Sequence, residues 1–235
     1  MKLLVLAGGY GTRLQSVVSE VPKALAPVCG KPFLHYQLER WRAQGIQSFV
    51  FLLHHQYRYI IEFLEACEKD LLAECSVKHV TEASPLGTGG AVANAIRHLK
   101  IDGDFLLTNA DTWLGEAVEQ IGNARAPAIG VLEVQDPGRY GQVQISPSGL
   151  VNGFSEKIAS SQSRWINAGM AKLHAEYFWD WKGHAYSLES QLFPRLVADN
   201  LLMAVPLSCN FIDIGIPADY ARFCSWIESN KAGKL

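Results

Sequence analysis

Apolar residues gather in short unbroken runs at Leu3–Leu6, Phe49–Leu53 and Phe105–Leu107, each bounded by polar or turn residues. Runs of this length predict strands covered on both faces. Between them the period changes: Tyr57, Ile60, Ile61, Leu64 and Leu71 fall on one face of a helix that can dock against a sheet. Phe33 to Ala43 and Thr88 to Leu99 also read as helices, and Val77–Val80 as a strand. Alternating strand and helix through about the first half imply right-handed crossovers and a parallel, doubly wound sheet.

Further along, Ala128–Val134 and Gly141–Ile145 lie close together, and the alternation Gln142-Val143-Gln144-Ile145 predicts antiparallel, half-exposed strand. Ser146-Pro-Ser-Gly149 signals a turn, Val151–Phe154 and Ile166–Leu173 predict more strands, and a helix is expected from Leu188 to Val197. Strands near Leu201–Val205 and Phe211–Ile214 and a helix after Pro217 complete the pattern. The expected fold is α/β: a single Rossmann-like three-layer α/β/α domain over 1–235, with a mixed, mostly parallel central sheet and a small antiparallel region. No internal repeat, low-complexity segment or Pro/Ser-rich linker divides it.

Composition sharpens this. A chain of 235 residues, 49% hydrophobic, can bury a sizeable core. A formal charge of -2 with both signs interspersed gives no positive field to select nucleic acid or an acidic membrane, so a bound anion must be held locally. The apolar run after Lys2 breaks at Gly8-Gly9, too short for a signal sequence or a membrane span, which predicts a cytoplasmic protein. Five dispersed cysteines without a CxxC predict buried thiols rather than a disulfide framework or zinc cluster.

After the first strand comes Leu6-Ala7-Gly8-Gly9-Tyr10-Gly11-Thr12-Arg13-Leu14. Its glycines let the backbone approach a ligand, consecutive N–H groups can cradle phosphate oxygens, and Arg13 adds a planar donor fork suited to a triphosphate. A tight strand-to-helix turn with a surface arginine would look the same. The dinucleotide fingerprint fits poorly because Leu14 stands where its third glycine should fall, which disfavours a nicotinamide-dependent oxidoreductase. Walker A fails too, for no Gly-Lys-Ser/Thr closes the loop. Lys23, on a segment stiffened by Pro22 and Pro27, is either a fixed point charge for a phosphate or a solvated lysine.

The glycine loop followed by Val21-Pro22-Lys23-Ala-Leu-Ala-Pro27-Val-Cys-Gly30-Lys31-Pro32 resembles the signature of the sugar nucleotidyltransferases, which make activated sugars. Within that family the segment looks similar to heptose-1-phosphate guanylyltransferases of bacterial surface-polysaccharide pathways. The resemblance implies a magnesium-dependent transfer of a nucleoside monophosphate from a triphosphate to a sugar 1-phosphate. Residues 1–125 would mainly bind the nucleotide and 126–235 the sugar phosphate, with Arg13 and Lys23 neutralising the triphosphate. A mannose- or glucose-1-phosphate enzyme using another base is the alternative, as is a silent regulatory domain of the same fold.

Glu82-Ala-Ser-Pro85-Leu-Gly87-Thr88-Gly89-Gly90 resembles the family loop that reads the nucleobase. A carboxylate only accepts hydrogen bonds, and guanine alone offers adjacent N–H and NH2 donors on one edge, so Glu82 favours GTP. The other reading is a solvated loop glutamate, with the base held by backbone around Leu86 and Gly87. Asn109-Ala-Asp111 follows a strand at the carboxyl end of the parallel sheet, where ligands collect, and Asp213 follows a second apolar strand. Either aspartate alone could cap a turn; both match the family's Mg2+-binding positions, although Ala110 replaces a usual glycine. The resemblance also puts Tyr140, Gly141, Glu156, Lys157, Asn167, Gly169 and Glu189 at the sugar phosphate. Lys157 would hold its phosphate, unless it is a plain surface charge. Trp165, Trp179 and Trp181 fit a sugar platform, a homodimer surface or ordinary packing, and His54-His55 a loop or core position.

Overall fold

Leu3 and Val5 point to one side of the first strand and Leu4 to the other, and all three are fully buried. In the computed structural model, which describes residues 1–156 and 163–232, this strand is β1 (Lys2–Leu6). It is followed by β2 (Pro27–Val28), β3 (Lys31–Pro32), α1 (Phe33–Ala43), β4 (Ser48–Leu53), α2 (Tyr57–Glu68), β5 (Ser76–Thr81), α3 (Gly87–Leu99) and β6 (Asp104–Asn109). The chain continues through β7 (Thr112–Leu114), α4 (Val118–Gly122), β8 (Ala128–Glu133), β9 (Gly141–Ile145), β10 (Val151–Glu156) and β11 (Trp165–His174). It ends with α5 (Phe193–Ala198), β12 (Met203–Pro206), β13 (Phe211–Asp213) and α6 (Pro217–Ala232).

Nine strands form one mixed sheet in the order β10-β9-β11-β6-β1-β4-β5, with β8 against β11 and β12 against β8. β1 pairs in parallel with β4 and β6, and β4 with β5. Direction reverses at β11, which runs antiparallel to β6 and β8. Phe49, Phe51 and Leu53 share one buried cluster with Leu34, Leu38 and Trp41 of α1 and Ile60 and Leu64 of α2. Val50, Leu52, Phe105 and Leu107 share the opposite one with Val92, Ala95 and Ile96 of α3 and Phe193 and Leu196 of α5. The alternation of β4 thus supplies both faces of an α/β/α sandwich, each large side chain contributing about 1.5–3 kcal/mol by leaving water.

Some expectations are corrected. β9 is antiparallel as expected, paired with β10 across the Ser146–Gly149 turn and with β11 at Gln142–Ile166, while among the described residues no ladder joins it to β8. Leu188 to Val197 is not one α-helix: Leu188–Leu192 forms a π turn and α5 starts only at Phe193. Pro194, which has no N–H for the carbonyl four residues earlier, explains the change of hydrogen-bond pattern. Cys67 is buried, its thiol pushed up to about 11 by that burial, but Cys29, Cys75, Cys209 and Cys224 are only half-buried. Among the described residues no helix is long and apolar enough to cross a membrane.

A third cluster fixes the site. Phe223 and Ile227 of α6 pack with Phe33, Trp113, Ile212 and Ile214, clamping the two-stranded ribbon of β7 and β13 in which Asp213 faces Thr112. That ribbon lies beyond the carboxyl ends of β1 and β6, where Leu6 pairs with Asn109.

Candidate active site

Beyond β1, Ala7 N–H donates to Leu52 O at 2.9 Å and the chain then turns outward through the glycine loop. A Cβ on Gly8 would stand 3.1 Å from both Cβ and N of His54, and one on Gly11 3.1 Å from Lys23 Cβ. Gly11, at φ 63, occupies left-handed backbone and opens the short turn Thr12–Leu14. Leu14 is 1% exposed and anchors that turn, while Arg13 beside it is exposed.

Two adjoining clefts open here. The larger, about 600 Å³, is lined by Leu6, Gly8, Gly9, Arg13, Glu82, Pro85, Gly87, Thr88, Asn109 and Asp111 from the expected nucleotide side. Tyr140, Gly141, Asn167, Gly169 and Glu189 from the expected sugar side line it too, as does Asp213. The smaller, about 360 Å³, takes in Ala7, Gly11, Thr12 and Lys23 and shares Arg13 and Asp111 with its neighbour. Glu156 ends β10 opposite Gly141; Lys157 lies outside the described residues.

At the junction, Lys23 Nζ stands 2.6 Å from Asp111 Oδ2 and 3.4 Å from Asp213 Oδ1. The ribbon brings the two acids together: Ile214 N–H donates to Asp111 O at 3.0 Å, and Gly215 N–H to Asp213 Oδ1 at 2.8 Å. Burial raises the Asp213 pKa above the ordinary carboxylate range, and the charge of Asp111 adds to that, against the pull of Lys23. Paired carboxylates of this kind suit a hard divalent cation that keeps phosphate oxygens as its other ligands. Ala110 is buried in the core and also borders the smaller cleft beside Lys23 and Asp111, and both carboxylates remain in place.

Glu82 follows β5, and its Oε2 accepts Leu86 N–H at 2.9 Å, closing the loop before α3. Burial raises its pKa, with that N–H and His54 opposing the shift. Among the described residues no hydrogen bond reaches its Oε1. At the head of α3, Gly87 has φ 70, and a Cβ there would stand 2.6 Å from Tyr186 O, which also accepts Gly89 N–H at 3.0 Å. These glycines therefore serve packing against residues 184–186 as well as openness to the cleft. On the far side Gly169, at φ 82, sits where the β8–β11 register slips between Asn167 and Ala171. A Cβ there would meet Asn109 Nδ2 at 2.8 Å. This bulge turns Asn167 and Ala168 into the cleft.

Other lining residues went unread in the sequence. His54 lines the larger cleft, 3.1 Å from Glu82 O and 3.3 Å from the Tyr10 hydroxyl, rather than filling a core position. Arg139 lines it as well; its only sequence signal is a place in the turn beside Tyr140. Trp165, Trp179 and Trp181 do not line the cleft: Trp181 is buried under Arg97, 4.7 Å from its guanidinium carbon, and Trp179 is 63% exposed.

Comparisons with known proteins agree with this geometry. A model of the nucleotidyl transferase family matches residues 2–224. The chain is 31% identical over 229 residues to D-glycero-alpha-D-manno-heptose 1-phosphate guanylyltransferase of Campylobacter jejuni, covering 95% of this chain and 98% of that one. It is also 31% identical to mannose-1-phosphate guanylyltransferase catalytic subunit beta of Danio rerio, with 97% of this chain spanning 65% of that longer protein. Among solved structures, HddC from Yersinia pseudotuberculosis, known also in complex with GMP-PN, superposes with a TM-score of 0.82 at 32% identity, over 96% of this chain and 99% of that one. A UDP-glucose pyrophosphorylase shares the fold, with a TM-score of 0.82 at 17% identity, over 97% and 98% of the two chains.

Proposed function

Because the chain belongs to the nucleotidyl transferase family, we propose that it transfers GMP from GTP to a manno-heptose 1-phosphate, releasing pyrophosphate and forming a nucleotide sugar for surface polysaccharide. The observation that carries this reading is Lys23 gripping both Asp111 and Asp213 where the two clefts meet. Guanine is supported by Glu82, whose Oε2 holds the loop while Oε1 remains to accept from the base edge, and by the guanylyltransferase relatives. Heptose is supported by the relative whose length this chain nearly spans. Mannose 1-phosphate is the second reading, favoured by the longer relatives.

The acceptor phosphate is already an anion, so the reaction needs no protein nucleophile. Its oxygen attacks the α-phosphorus in line; one P–O bond forms as the bond to pyrophosphate breaks. The glycine-loop N–H groups bind the triphosphate, and Arg13 and Lys23 neutralise its charge and that of the departing pyrophosphate. Asp111 and Asp213 would hold Mg2+, which when bound supplies further positive charge to the reacting phosphates. Asn167, Gly169, Tyr140 and Glu189 orient the sugar from residues 126–235, as residues 1–125 orient the nucleotide. A silent domain of this fold would have no need of Arg13, Lys23, Asp111 and Asp213 together. Substrates of this kind belong to the cytoplasm.

Pyrophosphate release should be measured with each of the four triphosphates against a panel of hexose and heptose 1-phosphates. GTP with a manno-heptose 1-phosphate is expected to give the highest kcat/KM; no release with any pair refutes the activity.

A further inference from the structure

Of the described residues lining the larger cleft, Arg13 and Arg139 carry the full positive charges. Arg13 also lines the smaller cleft beside Lys23 and the glycine loop, so both those cations serve the triphosphate. Arg139 stands on a different part of the chain, in the turn between β8 and β9 that Tyr140 N–H closes onto Pro137 O at 3.0 Å.

The arginine is held from two sides. Its Nη1 donates to Asp219 Oδ2 at 2.8 Å and its Nη2 to the Tyr140 hydroxyl at 3.2 Å, with the guanidinium carbon 5.3 Å from the centre of that ring. Asp219, in the first turn of α6, is only 8% exposed, and its Oδ1 lies 3.1 Å from Arg222 Nη2. The Arg139 side chain keeps 39% of its surface open. A guanidinium has five N–H donors, and Asp219 and Tyr140 engage only part of that fork. Tyr140 in turn packs edge-on against Phe211 at 5.4 Å, which ties the turn to the strand that carries Asp213. The charge of Asp213 is felt at Arg139, behind the larger effect of the Asp219 hydrogen bond, and both raise the guanidinium pKa.

We propose that Arg139 binds the phosphate of the incoming sugar 1-phosphate and that Asp219 is the residue that positions it. The inference rests on the sugar 1-phosphate acceptor proposed above. That acceptor must approach a triphosphate in a cleft that already contains Asp111 and Asp213, so it needs a cation apart from those committed to the nucleotide; Arg139 supplies one among the described residues, alongside Lys157, which the family resemblance assigns to the same phosphate. A planar fork meets a phosphate through two parallel hydrogen bonds, which a lysine cannot reproduce. A buried carboxylate behind the fork fixes its direction before the substrate arrives, which lowers the ordering cost of binding.

The test uses the full-length chain and steady-state kinetics in both substrates, with mannose 1-phosphate and a manno-heptose 1-phosphate as acceptors. For Arg139→Gln, KM for the acceptor should rise about 10- to 100-fold, the loss expected for a hydrogen-bonded charge, while KM for GTP stays within about twofold. Asp219→Asn should shift the acceptor KM the same way by less. An Arg139 that only braces α6 predicts a lower thermal midpoint with both KM values unchanged, and that result overturns the proposal, as does a rise in KM for GTP alone. If Arg139→Gln does not fold, Arg139→Lys decides: retained charge without the fork should still raise the acceptor KM, and a wild-type value overturns the idea. A wild-type protein that turns over neither acceptor sinks the proposed function itself; an active wild type with an unchanged Arg139→Gln variant sinks only this inference.

Discussion

Thr88 donates its hydroxyl hydrogen to Glu189 Oε2 at 2.7 Å, and its oxygen accepts Leu188 N–H at 2.9 Å. Two residues expected on opposite sides of the site, one for the nucleotide and one for the sugar, thus support each other. Ser187 Oγ adds a second donor to the same carboxylate oxygen at 2.7 Å, so Glu189 faces the cleft from a fixed position.

Replacing Thr88 by Val keeps the shape but leaves Leu188 N–H without its acceptor and Glu189 with Ser187 as its remaining side-chain donor. An orphaned, part-buried donor costs about 1–3 kcal/mol. For a chain of this size, about 2–4 °C of thermal midpoint should be lost per kcal/mol. An unchanged midpoint in thermal denaturation would mean that the link carries no stability.

Asp111→Asn retains the shape of the site but removes one of the two carboxylates on Lys23. Turnover should fall by about two to three orders of magnitude, as is usual when one preorganised charge is lost, with circular dichroism unchanged. Arg13→Ala should behave alike, since the exposed Arg13 side chain makes little contribution to the core. Wild-type rates in either variant would contradict the assignment of the site.

Gly215 offers a test that removes no charged side chain. A Cβ there would stand 2.9 Å from Asp213 Oδ1 and 3.1 Å from both Asp213 Oδ2 and Lys23 Nζ, so the methyl must displace a carboxylate or the ammonium. Gly215→Ala should lower kcat by about tenfold to a hundredfold, the loss that a displacement of about 1 Å produces, while the fold persists. Crystallography of the variant should find the Lys23–Asp213 distance changed; an unaltered trio with full activity would refute the argument.

The strands and helices of the first half were legible because Leu3–Leu6 and Phe49–Leu53 are apolar without interruption and the Tyr57–Leu64 stretch repeats at helical spacing. The glycine loop, Glu82 and the two aspartates were legible because each follows a strand end, where an α/β sheet collects its ligands. Arg139 and His54 were not, since each is placed by a partner distant in sequence: Arg139 finds Asp219 80 positions away and His54 meets Glu82 28 positions away. The π turn before α5 was hidden for a related reason, as the apolar spacing of Leu188, Leu192 and Leu196 is helical whichever carbonyl each N–H chooses. Periodicity reports which face is buried, and tertiary partners decide the rest.

Glu82→Gln separates base recognition from stability. Burial raises the Glu82 pKa above 4.5, so the folded protein holds that proton more tightly than the unfolded chain. The carboxyl therefore favours folding most below about pH 4.5, and this contribution is lost as pH rises through the folded pKa, where the half-buried group must ionise. Glutamine never ionises and can still accept Leu86 N–H. Between pH 4.5 and 8 the thermal midpoint of the nucleotide-free variant should therefore gain on the wild type and then level off. A difference that moves the other way would mean that the Leu86 and His54 interactions outweigh burial. Affinity for GTP should nevertheless fall about 10- to 100-fold, because a glutamine whose oxygen accepts Leu86 N–H turns its NH2, itself a donor, towards the guanine donors. A variant that is more stable at pH 8 but no longer selects guanine would assign Glu82 to the base; retained guanine preference would move base recognition to the backbone around Leu86 and Gly87.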